Sequence, residues 1–276
     1  MKRLLSIELQ KIWKNRASRV LTISYFILLS FIALIASIKF EIGNFNLHLA
    51  DMGIFNFPYI WHFNTYIADF LNFFLAIVIV SMVANEYSYG TLKQNLIDGM
   101  SKQELITSKF LTVTMFAAMT TVYIFVMSLI LGYSFSSYTE LDIVFSELEY
   151  LAAFFVKLVG FFSMCLFLGI LVKRSAFAIG FLLLLYIFEG ILYGLLRFNI
   201  NAKVADTVMG FFPVTAMSNL IVEPFSRLAV VKSIGAQIGV KDIKDYDVHF
   251  TNVLIVIVWI GLFMFMSYKL LKKRDL

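Results

Sequence analysis

Six apolar runs, at residues 20–38, 65–84, 110–133, 150–172, 176–196 and 251–268, constrain this chain more than any other feature. A helix rises ~1.5 Å per residue, so about 20 such residues cross the ~30 Å hydrocarbon core of a bilayer. Each run has that length. A soluble domain of 276 residues has no use for 61% hydrophobic residues, whereas a bundle of membrane spans requires them. The expected fold is an all-α integral membrane protein with six transmembrane helices, forming one domain over residues 1–276. The first run lacks the short core and small-residue cleavage site of a signal peptide, so it is expected to remain as a span.

Charge placement orients the bundle. Before the first run, Leu5, Leu9, Ile12 and Trp13 share one helix face, and Lys2, Arg3, Lys11, Lys14, Arg16 and Arg19 surround the rest. That pattern predicts an amphipathic helix lying on an anionic lipid surface. Lys and Arg number six in this segment, three in 85–109, two at Lys173-Arg174 and four in the tail after Tyr268, which makes 15 of the 23 in the chain. The two short loops opposite hold only Lys39. Basic loops stay inside, so both termini and segment 85–109 are expected in the cytoplasm, in the inner membrane of a cell. Membrane orientation thus accounts for the net charge of +5, and nucleic acid is not an expected partner.

Segment 85–109 is a polar island between the second and third runs. Leu92 and Leu96 lie four apart, predicting a short helix over Tyr87–Ile97 with one apolar face. Asp98-Gly99 is a breaker, and Ser101-Lys102-Gln103-Glu104 has capping-box spacing for a helix that continues into the third span. The expected product is a helix lying across the membrane surface, followed by one that enters it.

Glu86, Gly90, Thr91, Leu96, Gly99, Ser101, Lys102, Glu104 and Lys109 follow an E…GT…L…G.S+.E…K pattern. This resembles the segment after the second span of type-2 ABC exporter permeases. The resemblance implies that 85–109 holds the coupling helix that docks on a separate ATPase subunit. It also implies a second permease chain, identical or a sister. ATP and magnesium would be held by the ATPase, and no cofactor by this chain, which has no GxxxxGK[ST] phosphate loop. The implied activity is export of a lipid, amphipathic peptide or hydrophobic drug.

Lys157 and Glu189 are the charges deepest in the runs, each about seven residues from the outer end of its span. Intramembrane charges are functional candidates and need partners, so an ion pair between these two is expected. With Asp69 they also suggest an alternative, a membrane-embedded lipid-modifying enzyme. The aromatics Phe55, Phe57, Tyr59 and Trp61 are expected in the outer interface. In the loop 199–250, residues 204–222 are interrupted by Gly210 and Pro213, which fits either a re-entrant pair of short helices at the outer mouth or an amphipathic surface loop. Gly180, Gly190 and Gly194 suggest close packing of the fifth span. His48, His62 and His249, with Asp51 and Asp247 near, lack metal-ligand spacing, and the single cysteine, Cys165, forms no intrachain disulfide; no metal site is expected.

Overall fold

The structure is a computed structural model and describes residues 2–42, 45–47, 49–228, 231–233 and 244–274. Apart from a small antiparallel hairpin, Phe40–Ile42 with Phe45–Leu47, its regular elements are helical. They run α1 (Lys2–Lys14), α2 (Arg16–Ser37), α3 (Tyr59–Phe70), α4 (Asn72–Ser88), α5 (Thr91–Ile97), α6 (Lys102–Phe135), α7 (Leu141–Val144), α8 (Glu149–Val172), α9 (Ser175–Asn199), α10 (Ala202–Met209), α11 (Pro213–Ser218) and α12 (Phe250–Lys273). Five helices are long and apolar enough to cross a membrane, or six if α3 and α4 count as one span.

The pair α3–α4 bends by 50° at Leu71. A break frees backbone groups that lipid cannot satisfy. Here Tyr25 of α2 donates its hydroxyl to the Ala68 carbonyl at 3.3 Å, and Asn72 donates its amide to Asp69 at 2.8 Å. The run over 65–84 is therefore a kinked element built from two helices.

α8 is the central helix and packs on α4, α6, α9 and α12. Its glycines permit close approach, since a Cβ on Gly169 would stand 3.3 Å from Val83, and one on Gly160 would stand 2.9 Å from Val256. Gly180, Gly190 and Gly194 of α9 behave differently from expectation. A Cβ at any of them would meet nothing within 4 Å among the described residues. Crowding therefore does not demand glycine there, in keeping with a helix of which 11% is buried in its apolar stretch, against 72% for the span containing α8.

Phe55, Phe57 and Trp61, expected in the interface, are core residues. Trp61 stacks on Phe125 of α6 and donates its indole N–H to the Val144 carbonyl at 2.8 Å, so its polar edge is satisfied without interfacial water. Residues 204–222 form α10 and α11 joined by a turn at 210–212, with Pro213 opening α11 where its missing N–H costs nothing.

Candidate functional site

Segment 85–109 contains two helix stops made by glycine. Between α4 and α5 stands Gly90, whose φ of +69° is left-handed, so the single helix expected over Tyr87–Ile97 is broken there. α5 begins at Thr91. It ends in a Schellman arrangement, with the Gly99 N–H on Leu96 O at 3.2 Å and the Met100 N–H on Asn95 O at 3.1 Å. Gly99 has φ +98°, and open space surrounds both glycines among the described residues, so the backbone angle rather than crowding demands them. Ser101 then caps α6. It accepts the Glu104 N–H at 3.1 Å, while Glu104 accepts the Ser101 N–H at 2.9 Å, the reciprocal box its spacing predicts. The Ser101 N–H and hydroxyl both hold the Glu104 carboxyl below its ordinary value.

Leu92 is buried and Leu96 half-buried, pinning α5 to the bundle. Its opposite side, with Thr91, Lys93, Gln94, Ile97 and Asp98, is exposed, as are Tyr89 and Ser101.

The two ends of the segment are held by a cluster of four charges, three of them buried. Lys109 bridges Glu8 and Glu86, the latter at 2.6 Å, and Lys11 reaches Glu86 at 2.7 Å and Glu8 at 3.0 Å. Glu8, Glu86 and Lys109 are buried, and the cluster is electrically neutral. Burial alone would raise the Glu8 carboxyl, but Lys109 and then Lys11 outweigh it and hold the group below its ordinary value. Burial would lower Lys11, and Glu86 with Glu8 raise it instead. One oxygen of Glu86, Oε2, has no hydrogen-bond partner among the described residues. Glu86 is among the residues lining a cavity of about 280 Å³ between α1, α2, α4 and Thr91.

The carboxyl tail braces the same segment. Arg274 donates to the Ile170 and Leu171 carbonyls, the latter at 2.8 Å, capping the end of α8. It also reaches the Tyr87 hydroxyl at 3.3 Å, and Lys102 donates to the Arg274 carbonyl at 2.9 Å. Glu86, Tyr87, Lys102 and Lys109 thus anchor the segment, and the residues between Ser88 and Ser101 present its exposed face.

The expected Lys157–Glu189 pair does not form. Lys157 bonds Asp69 at 2.8 Å. Glu189 accepts the Val214 and Thr215 backbone N–H groups at 3.0 and 2.8 Å and the Thr215 hydroxyl at 2.8 Å. The physical reason is α11: the start of a helix leaves N–H groups without partners, and a carboxylate at its positive end satisfies them. Glu189 serves that need, and the kink at Leu71 brings Asp69 to Lys157.

At the other end of the bundle Arg227 gathers α3, α8 and the 219–228 loop. It bonds Glu147 at 3.0 Å, Tyr150 Oη at 3.1 Å and His62 Nδ1 at 3.2 Å. His62 Nε2 lies 2.7 Å from the Val222 carbonyl and therefore carries the proton. His249 pairs with Asp245 at 2.8 Å. His48 and the side chain of Asp51 lie outside the described residues. Among the described residues no group of three or more His, Cys, Asp or Glu side chains is arranged for a metal ion.

Sequence reasoning missed Glu8, Lys11, Asp69's partner, and Arg227. Glu8 had a signal: it falls between Leu5 and Ile12 on the apolar face of α1, where an acid must find a buried base. Trp13, expected on that face, is 56% exposed. Arg227 had none, because its partners lie 77 to 165 residues away.

Fold and site together define a helical protein with five or six helices long and apolar enough to cross a membrane, and an exposed polar segment clamped at one end of its bundle. Residues 23–276 match the family described as "Protein of unknown function (DUF2705)", and the chain belongs to it. It is also similar to "Uncharacterized protein YhcI" of Bacillus subtilis (strain 168), with 32% identity over 77 residues. That match covers 26% of this chain and 25% of the relative.

Proposed function

We propose that this chain is the permease subunit of an ABC exporter, lying in the cytoplasmic membrane with both termini inside. It carries a hydrophobic or amphipathic cargo outward, driven by a separate ATPase and paired with a second permease chain. The observation that carries this reading is the clamped segment. α5 and its flanking turns are fixed through Glu86 and Lys109 to α4, α6 and α1, and through Tyr87 and Lys102 to the tail. A push on the exposed face therefore reaches α1, α4 and α6 at once. That face carries Tyr89 and Ile97, 75% and 68% exposed, beside Lys93, Gln94 and Asp98, the mixed apolar and polar character of a docking surface.

The roles follow. Gly90 and Gly99 set the two stops, Thr91 and Leu96 shape α5, Ser101 and Glu104 restart the chain as α6, and Glu86 and Lys109 transmit. On this reading α10 and α11 form a re-entrant pair at the outer mouth, with Glu189 holding the start of α11.

The test is co-expression of the tagged chain with candidate ATPases from its own genome. The expected result is a complex that hydrolyses ATP and loses its ATPase when Ile97→Asp or Tyr89→Asp is introduced. Cargo movement by the purified chain without any nucleotide, or binding unchanged by both substitutions, would overturn it.

A further inference from the structure

A second feature concerns the cargo. A cavity of about 300 Å³ opens between α4, α8, α9 and α11, directly beside the α3–α4 kink. Its walls include Phe73, Phe161, Leu182, Tyr186 and Met217, and the Lys157–Asp69 pair stands at its polar end. A charged pair at membrane depth is costly, and apolar side chains of similar size join helices as well. The pair therefore calls for a use beyond packing.

Which charge faces the cavity is decided by exposure. The Asp69 side chain is 29% exposed, the Lys157 side chain 7%. Lys157, which lines the same cavity, bonds Asp69 Oδ2 at 2.8 Å, and Asn72 donates to Oδ1 at 2.8 Å. Each carboxylate oxygen accepts about two hydrogen bonds, so both retain capacity toward the opening. Around the mouth stand the rings of Phe70, Phe73 and Tyr186, which are 76%, 39% and 45% exposed. Aromatic faces attract cations within ~6 Å, and the attraction strengthens away from water.

We propose that this cavity is a binding site for an amphipathic ammonium, its cationic head at Asp69 among the aromatic rings and its apolar body against Leu182, Phe161 and Met217. An amphipathic anion would bring its head against the carboxylate, the more exposed member of the pair. That the bound amine is cargo rests on the export reading; the binding itself does not.

The test uses the full chain in nanodiscs of digalactosyl diacylglycerol, with neither ATPase nor nucleotide, and tritiated dodecyltrimethylammonium as probe. The expected result is saturable binding above empty discs, displaced by unlabelled probe and not by dodecyl sulfate or dodecanol. Asp69→Asn is expected to weaken binding about tenfold. Ser218→Trp, at an exposed position of the cavity wall, is expected to do the same while leaving the ion pair intact. If Asp69→Asn does not fold, Ser218→Trp decides. Absence of saturable binding, equal competition by dodecyl sulfate, or unchanged binding in folded Ser218→Trp would overturn the site. Because no ATPase is present, these outcomes leave the export reading standing, and failure of the ATPase test leaves this binding measurable.

Discussion

Glu86 and Glu189 are equally buried, at 4% exposure each, yet they are satisfied in opposite ways. Glu86 is answered by two ammonium groups carried on α1 and α6, while Glu189 is answered by the backbone and hydroxyl donors that open α11. The first joins helices that are each complete without it. The second completes a helix that would otherwise start with bare N–H groups. Loss of the charges at the α1 end should therefore separate whole helices, whereas loss of Glu189 should fray one short element in place.

The largest effect is expected from Lys109→Met. It leaves Glu8 and Glu86, both buried, to share Lys11, and breaking one partner out of a buried ion cluster costs about 3–5 kcal/mol. Thermal unfolding in detergent should show this as a large drop in Tm. Adding Glu86→Gln removes the stranded charge and should recover part of the loss. A double variant no more stable than the single one would show that the cluster does not act as a charge-balanced unit.

Glu189→Leu should cost less, about 1–3 kcal/mol for donors left unsatisfied. Its signature is local: hydrogen exchange should quicken at Val214 and Thr215 and stay unchanged in α8. Glu189→Gln, which keeps an acceptor, should fall between. Exchange that rises across the whole bundle would erase the contrast with Glu86.

pH offers a subtler probe of the α1 end. Glu8 has a depressed folded value, so its contribution is fully present above its ordinary 4.5 and is lost as pH falls below that. Lys11 has a raised one, so its contribution is present below 10.5 and is lost as pH climbs past it. Between those limits these two contributions should be indifferent to pH. Spin labels on α1 and α5 should move apart below pH 4.5, and Glu8→Gln should weaken that transition because its amide does not titrate. An identical profile in both proteins would remove Glu8 from the clamp.

The comparison also shows what a reader of the sequence can reach. Apolar run length depends on the bilayer alone, which is why the long helices were legible from composition and spacing. The capping box at Ser101 and Glu104 was legible for a similar reason: all its atoms lie within four residues. Partners of buried charges are another matter. Lys157 and Glu189 were recognisable as costly groups, but pairing them assumed straight helices and a polar partner that must be a side chain. The kink at Leu71 supplied Asp69 to one, and the broken backbone before α11 supplied N–H groups to the other. Glu8 and Glu86 are 78 residues apart, and only the folding of α1 against α4 and α6 brings them to a shared lysine.

The smallest effect is expected at Ser101, and it separates anchoring from capping within the same segment. Ser101→Ala removes the side-chain acceptor for the Glu104 N–H, a loss worth about 1 kcal/mol at a helix start. α6 is 34 residues long and buried further along, so one frayed turn should barely shift global unfolding. Exchange should quicken at Gln103 and Glu104 while Lys109 keeps its partners. If coupling depends on α6 starting rigidly at Ser101, this variant should lower ATPase stimulation while leaving Tm nearly unchanged. A matched fall in both would mean that the cap supports the bundle rather than the transmission of force through it.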